Sequence, residues 1–299
     1  MGTAFKKDGG KIARVAVIVP HWNRLDDTTA CYRCLMQLDH AKVDVYIVDN
    51  GSTVHTPEAL ASACPAARIV RLETNRGFAG GVNAGIRRAL ETDAPDFIWL
   101  VNNDTTCEPD VLTRMVRTAA SGERIGLVGC ELLEGPDGGP LRRVAAGKRM
   151  APLLYIPWTV EAGQRVDYLS GASLLIRRAV LEEIGLLDEG YFFFFEDADY
   201  CRRARQAGWS LAVAPDAVMR HWGSATIGTL SEDQALYYRA GHVRFLRKTL
   251  THPFAPALLC AGWRLLNDTL RGRPAAARGN LRGWRKGWRE PVTGSDPAR

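Results

Sequence analysis

The residues of this chain best suited to chemistry are acids placed at the ends of apolar runs. Asp104 follows Phe97-Ile98-Trp99-Leu100-Val101-Asn102-Asn103. Five apolar residues in a row read as a strand buried on both faces. The carboxyl end of such a strand is where an open α/β sheet binds ligands. A carboxylate with amide oxygens beside it suits a hard divalent cation such as Mg²⁺ or Mn²⁺, which reaches a protein through one or two carboxylates plus substrate phosphates. The same tripeptide could simply cap the next segment, since Glu108-Pro109-Asp110 reads as a helix start. A second group, Glu196, Asp197 and Asp199, comes directly after five aromatics, Tyr191 to Phe195. A carboxylate approached by apolar residues is partly desolvated, which raises its pKa and suits a general base. These acids would equally serve the first turn of a helix from Tyr200 to Ala207. Arg202, Arg203 and Arg205 would keep some of them ionised, with Asp199 the one to pair structurally. His221, at another strand end, could ligate a metal or touch phosphate, although a lone His is more often neither.

These groups need elements to hold them. Arg14 to Pro20 is a β-branched strand followed by His21-Trp22-Asn23-Arg24. Asp26 or Asp27 can cap a helix running to about Leu38. Val43 to Val48 is a second strand, ending in Asp49-Asn50-Gly51-Ser52-Thr53. Strand, helix, strand with polar loops is the opening of a nucleotide-binding α/β fold. Asp49 could accept hydrogen bonds from a ribose or base, or only shape a turn. A third strand, Ala67 to Leu72, runs into the glycine-rich stretch 73–85 and a helix from Ile86 to Leu90. Glycines let backbone approach a ligand and a helix N-terminus favours anions, but the spacing is neither a Walker loop nor the Rossmann fingerprint. Helices are expected at Asp110 to Ala120 and Arg178 to Ile184, the latter closed by Gly185. Strands are expected at Ile125 to Cys130, Val166 to Ile176 and Trp209 to Ala214. Small residues Ser170 to Ser173 would let a substrate lie against backbone, and about 134 to 166 reads as a long, mobile excursion over the site.

At 299 residues, 46% hydrophobic and 24% charged, the chain has ordinary globular composition. Seven scattered Cys, an odd number, imply reduced thiols in a cytoplasmic setting. Met1 to Lys11 lacks an apolar signal core, and no run has the roughly 18 apolar residues of a spanning helix. The formal net charge of +6 is concentrated at the C-terminus. There, helical patterns at Gln234 to Leu250 and Pro256 to Leu270 precede the basic stretch Arg271 to Arg289, with Trp284 and Trp288 four apart. Trp and Arg on one helix face suit a membrane interface with anionic lipid. The two helices could also pair between copies, leaving a homo-oligomer open. A nucleic-acid reading rests on this tail alone and is set aside.

Together these pieces resemble the inverting family 2 glycosyltransferases of the GT-A fold, most of all the bacterial rhamnosyltransferase-like branch. The resemblance is carried by VAVIVPHWNR at 15–24, IVDNGS at 47–52, NRGFAGGVNAG at 75–85, WLVNNDT at 99–105, SGASLLIRR at 170–178, FFFEDADYCRRARQAGW at 193–209 and HWGSAT at 221–226, with YYRAGHVRFLRK at 237–248 after them. Seven short pieces in the right order make a specific signal. It implies a Rossmann-like, mostly parallel sheet flanked by helices over residues 11–226, with a C-terminal helical region over 227–299. It implies donor contacts from Pro20, Asn23, Asp49, Asn50, Gly51, Asn75, Arg76, Gly77, Asn83, Asn102 and Asn103. Asn102-Asn103-Asp104 stands where the family has Asp-X-Asp, so Asp104 would be the metal carboxylate, joined by His221. Asp197, paired with Glu196, would be the catalytic base, with Gly171, Ala172 and Glu196 toward the acceptor.

The implied reaction is metal-assisted transfer of a sugar from a nucleotide diphosphate to a lipid-linked or polymeric cell-envelope glycan, at the cytoplasmic face of the membrane. The resemblance favours dTDP-rhamnose as donor. Two other readings compete. A sugar-phosphate nucleotidyltransferase would want a basic glycine-rich signature at the first strand, which His21-Trp22-Asn23 does not supply. A catalytically inactive nucleotide-sugar- or glycan-binding module is disfavoured by the joint presence of Asp104, Glu196, Asp197 and His221.

Overall fold

The apolar runs become neighbouring strands of one sheet. The computed structural model describes residues 6–7, 11–135, 140–161, 163–222 and 231–292. A two-residue ladder, β1 (Lys6–Lys7) with β2 (Lys11–Ile12), precedes the sheet. The first half of the chain then runs β3 (Val15–His21), α1 (Leu25–Leu35), β4 (Val43–Asn50), α2 (Pro57–Ala63), β5 (Arg68–Leu72), α3 (Gly77–Thr92), β6 (Phe97–Val101), β7 (Thr105–Cys107) and α4 (Val111–Ala120). It continues through β8 (Ile125–Glu134), β9 (Arg142–Met150), β10 (Pro157–Glu161), β11 (Tyr168–Leu169), β12 (Ser173–Arg177), α5 (Arg178–Ile184), α6 (Glu196–Gln206) and β13 (Ser210–His221). Helices α7 (Glu232–Thr249), α8 (Phe254–Leu270) and α9 (Pro274–Arg289) complete the order.

Strands are ordered β10-β9-β8-β12-β6-β3-β4-β5, with β6, β3, β4 and β5 parallel and β12 antiparallel between β6 and β8. Each apolar strand is buried on both faces because helices cover both. Side chains of α1, α2 and α4 fill one layer, and those of α3, α5 and α6 fill the other. The short strand β7 pairs antiparallel with the end of β13, setting His221 opposite Thr105.

Several expectations change. Helix α3 begins at Gly77, so most of the glycine-rich stretch is helix, not loop. Gly77 itself turns at φ +72 where a Cβ would strike the Phe192 carbonyl, so a left-handed, side-chain-free residue is required there. Helix α6 begins at Glu196 rather than Tyr200, and all three acids stand in its first turn. Asp26 and Asp27 lie inside the first turn of α1; Arg24 precedes it with no side-chain cap. The region 134–166 is not a loop excursion. Strands β9 and β10 form an antiparallel extension of the sheet, with residues 136–139 and 162 outside the described set. Its charged, glycine-bearing sequence is what a sheet margin tolerates, which leaves no periodic pattern to read. The expected boundary at 226/227 and the tail of the HWGSAT motif fall within 223–230, outside the described residues.

The C-terminal helices form a module against the sheet domain. Gly279, Gly283 and Gly287 stand one turn apart on α9, where a Cβ would meet the backbone of Glu232, Leu236 and Ala240 on α7. Trp284 and Trp288 are half-buried, Trp284 edge-on to Trp288 and to Phe254 and Trp288 tilted against Phe254, and both pack against the cluster of Val243 and Leu246. The tryptophans expected at a lipid surface therefore face inward, because the glycine stripe draws α9 onto α7. Removing everything after Leu250 would uncover the α7 core, so truncation cannot isolate a surface role.

A buried charge cluster ties this module to α6. Lys248 Nζ on α7 lies 2.8 Å from Asp199 and 2.9 Å from Asp188, and Arg244 reaches Asp188 at 2.9 Å. Arg203 completes Asp199 at 3.0 Å. Removing one partner of such a buried set leaves an uncompensated charge and costs about 3–5 kcal/mol. Lys248→Ala should therefore lower unfolding stability by about that amount in denaturant titration; a loss under ~1 kcal/mol would show that Arg202 and Arg203 suffice for Asp199.

Candidate active site

At the carboxyl ends of β3 and β4 two loops are stitched together. Asn23, at φ +60, donates its backbone N–H to Ser52 Oγ at 3.0 Å and accepts from the Thr53 and Val54 amides at 2.7 and 3.1 Å. The Asp49 side chain is fully buried; it accepts from the Ser52 amide at 2.9 Å and pairs with Arg71, its register neighbour on β5. Burial alone would raise the Asp49 pKa, but the Ser52 bonds and the Arg71 guanidinium outweigh it and hold the carboxyl below its usual value. Pro20 is half-buried one residue before His21. The His21 ring lies 2.7 Å from Thr28 Oγ1 and 2.6 Å from the His55 ring nitrogen. Burial pushes the His21 pKa down to about 4, so this ring is neutral near pH 7.

The expected donor residues divide. Asn50 spends both ends on the next turn: its amide N–H donates to the Gly77 carbonyl at 2.9 Å and its oxygen accepts from the Arg76 amide at 2.9 Å. Asn75 accepts from the Gly77 amide at 2.9 Å, and Gly51 packs against the Thr74–Asn75 peptide. The Arg76 guanidinium, expected at a diphosphate, is held by Glu189 at 2.6 Å, a carboxylate shared with Arg87. Asn83 is corrected outright. It is buried on α3 and donates to the Leu187 carbonyl at 2.8 Å while accepting from the Leu187 amide at 3.2 Å. Both its ends hold the loop before Tyr191, with the second amide hydrogen donated to Glu189 at 3.1 Å, so the side chain is committed to structure.

At the end of β6 the backbone of Asn102 donates to the Ala172 carbonyl at 3.1 Å. Asn103 is buried and donates to Thr28 Oγ1 at 2.9 Å. Asp104 is buried, and its Oδ1 has no hydrogen-bond partner among the described residues. His221 lies 3.4 Å from that oxygen, with Glu134 3.5 Å from the other ring nitrogen. Burial opposes a charge on His221, but the Asp104 and Glu134 carboxylates outweigh it and lift its pKa to about 9. An orphaned carboxylate oxygen beside an imidazole fits a divalent cation, which would displace that proton on binding. Asp104 and His221 form only a partial donor set, so diphosphate oxygens and water would have to complete the shell. Among the described residues no group of three or more His, Cys, Asp or Glu side chains is arranged for a metal.

Across a short bridge stands the acidic pair. Gly171 donates its N–H to Asp197 Oδ2 at 3.1 Å, while the carbonyl of the next residue, Ala172, holds Asn102. The base candidate and the Asp104 segment are thus fastened to consecutive residues. Asp197 Oδ1 also accepts from the Ala198 amide at 2.7 Å, at the amino end of α6. Burial raises the Asp197 pKa, against the two amides and the charge of Lys148 on β9. Glu196 is buried with Oε2 unpartnered among the described residues, and burial plus Asp197 raises its pKa well above the usual range. Phe194 and Phe195 precede the pair at φ +71 and +72. Two successive bulky residues in the left-handed region are a strained backbone of the kind found at functional sites. Sequence reading missed Arg71, His55, Thr28, Glu134 and Lys148. Parallel register with Asp49 could have shown Arg71; His55 comes from a loop, Thr28 from α1, and Glu134 and Lys148 from β8 and β9, and no local pattern marks their approach.

Residues 13–235 match the family model described as glycosyltransferase like family 2. The chain is 30% identical over 260 residues to the N-acetylglucosaminyl-diphospho-decaprenol L-rhamnosyltransferase of Mycobacterium tuberculosis, covering 77% of this chain and 80% of that one. It is 29% identical over 213 residues to the succinoglycan biosynthesis protein ExoO of Rhizobium meliloti, covering 69% and 60%. Among solved structures it resembles the mannosyltransferase PcManGT of Pyrobaculum calidifontis in complex with GDP-Man and Mn²⁺, with a TM-score of 0.57, 18% identity, and 91% and 74% of the two chains covered. It also resembles GalNAc-T7 with UDP, GalNAc and Mn²⁺, with a TM-score of 0.64, 13% identity, and 87% and 51% covered. With the family model spanning most of the chain, a relative at 30% identity and two structural neighbours of like fold, the chain belongs to glycosyltransferase family 2, in the GT-A fold.

Proposed function

We propose that this protein is an inverting glycosyltransferase that moves L-rhamnose from dTDP-rhamnose to a lipid-linked acceptor of cell-envelope glycan synthesis, at the inner face of the membrane. The observation that carries the reaction type is Asp197, held by two amides at the amino end of α6 and joined through Gly171-Ala172 to the Asp104 segment. The sugar and the acceptor class are supported by the mycobacterial relative's name.

In this reading the loops after β3 and β4 take the nucleoside, with Asp49 kept ionised as a hydrogen-bond acceptor. The turn 75–77, locked by Asn50, presents backbone to the diphosphate. Asp104 and His221 would hold a divalent cation, which when bound supplies positive charge to the leaving diphosphate. Asp197 accepts the proton of the acceptor hydroxyl as that oxygen bonds to the anomeric carbon and the bond to the diphosphate breaks. The products are an inverted glycoside, a nucleoside diphosphate and a protonated Asp197, which then releases its proton. Glu196, buried beside Asp197, keeps its own proton more readily than a solvated acid and so avoids placing two charges together.

Asp197→Asn should leave donor affinity within about threefold while transfer falls by on the order of a hundredfold or more. In the native protein the acid limb of kcat/KM should lie above the ordinary aspartate range, because burial raises the base. Equal loss of donor binding would mean that the base is misassigned. Calorimetric titration with a panel of nucleotide sugars, with and without Mn²⁺, checks the donor. Cation-dependent binding of dTDP-rhamnose that disappears in Asp104→Ala is expected, whereas binding of no donor by the folded protein would favour an inactive binding module.

Glu196 offers a check through stability. Its folded-state pKa is raised above the unfolded value, so the folded protein holds a proton that the unfolded chain releases. That contribution is fully present below the usual glutamate range and is lost as pH rises through the raised value. Glu196→Gln should therefore melt higher than the native protein at pH 8, with the gap closing toward pH 4 in differential scanning calorimetry.

A further inference from the structure

We infer that α8, with the β9–β10 turn beside it, is an interfacial surface that seats the protein on an anionic lipid bilayer. The tryptophans of α9 turn inward, yet α8 exposes an apolar face along its whole length. Leu258, Leu259, Trp263, Leu266 and Leu270 are 50, 67, 63, 60 and 78% exposed. The exposed positions of α8 carry no charged residue, and Arg264 is turned aside to pair with Asp268 at 3.2 Å. A single exposed leucine needs no explanation, but a continuous apolar stripe does. Seventeen residues make about 26 Å of helix, and no described helix is long and apolar enough to cross a membrane. A helix of this kind lies in the interface plane with its apolar face among the acyl chains.

Charge identifies the occupant. Residues 254–290 hold eight Lys and Arg against two acids, an excess as large as the whole chain's +6. Arg271 is exposed at the end of α8, and Arg285 and Arg289 are exposed on α9, which packs beside it. Apolar side chains rimmed by arginines complement anionic headgroups over a hydrocarbon layer. A second copy of the chain is a poorer partner, since pairing two α8 faces about a two-fold axis would bring two arginine-bearing rims together.

The stripe continues onto the acceptor side of the cleft. His242 on α7 lies 2.8 Å from the Leu154 carbonyl, anchoring the β9–β10 turn, where Leu153 is 69% exposed. Strand β9 leaves that turn and passes beside the site, where its Ala146 carbonyl accepts from the Ser170 amide at 2.7 Å, one residue before Gly171. A bilayer under α8 and this turn would lie on the side from which a lipid-linked acceptor reaches Asp197. That use rests on the function proposed above; the surface itself does not.

The test is flotation of the full chain with vesicles of phosphatidylcholine, with and without phosphatidylglycerol, holding neither donor nor acceptor. The native protein should float with phosphatidylglycerol vesicles. The double variant Leu259→Glu/Leu266→Glu, both positions exposed, should lose at least tenfold in binding with an unchanged melting curve. Arg285→Gln/Arg289→Gln should weaken binding and flatten its dependence on phosphatidylglycerol. Undiminished flotation of the leucine variant would overturn the inference. So would a lipid-free dimer, seen by light scattering and broken by that variant, in a protein that ignores vesicles. Because no substrate is present, vesicle binding can stand while donor titration fails, and the reverse.

Discussion

Asp199 is the constraint to which much of the structure answers. It stands in the first turn of α6 with its side chain fully buried, two residues from Asp197. A buried carboxylate is tolerated only where cations and hydrogen bonds replace water. Arg203 and, at 3.6 Å, Arg202 supply cations from the same helix, and Lys248 supplies one from α7. Lys248 must then be buried as well, and Asp188 with Arg244 completes the cluster. The orientation of the helix that carries Asp197 is thereby fixed by the C-terminal module. That module supports the site through Asp199, one turn-position away from the acidic pair itself.

A second constraint is that the loops around the site hold each other. Asn23 fastens the loop after β3 to the loop after β4, Asn50 fastens β4 to the turn before α3, and Asn83 fastens α3 to the loop before Tyr191. At Asn50 and Asn83 the side chain donates and accepts at once and so holds backbone from both sides, while at Asn23 its oxygen accepts from two successive amides. The Phe192 carbonyl accepts from the Phe78 amide, and the chain then passes through left-handed Phe194 and Phe195 into α6. The strained residues persist because the backbone is pinned on both sides of them, by α3 before and by the buried acids after.

Much of this was legible in the sequence, and the division has a physical basis. Strands β3, β4 and β6 are largely buried on both faces, so each reads as a mainly apolar run with polar residues at its carboxyl end. His21, Asp49 and Asp104 could therefore be placed at one edge of the sheet from the sequence alone. The first turn of α6 is legible as acids behind aromatics, though its start lies four residues earlier than expected, because acids suit a cap and a first turn equally well. What could not be read was partnership. Asn83 and Arg76 sit in a motif suited to phosphate, and only the approach of the 187–189 loop shows that they serve it instead. Trp284 and Trp288 looked like lipid anchors until the spacing of Gly279, Gly283 and Gly287 was seen against α7. Strand β9 lacks a period because Arg142 and Lys148 fall on one face and Arg143 and Arg149 on the other, which the sheet margin tolerates.

That unevenness tracks the two sides of the proposed reaction. The donor side is built from parallel strands and asparagine-locked turns, where most side chains are committed to backbone. Few substitutions are compatible with such a lattice, so its residues carry a recognisable pattern. The acceptor side is built from the margin of the sheet, from β9, β10 and the loop through Gly171, and from helices docked on it. There the contacts that hold the backbone are main-chain bonds, such as Ala146 to Ser170, that many sequences could make. A chain organised in this way states its chemistry plainly at the end of β6 and in the first turn of α6. It states its acceptor only through the shape and charge of a surface that takes form once the turn between β9 and β10 meets α8.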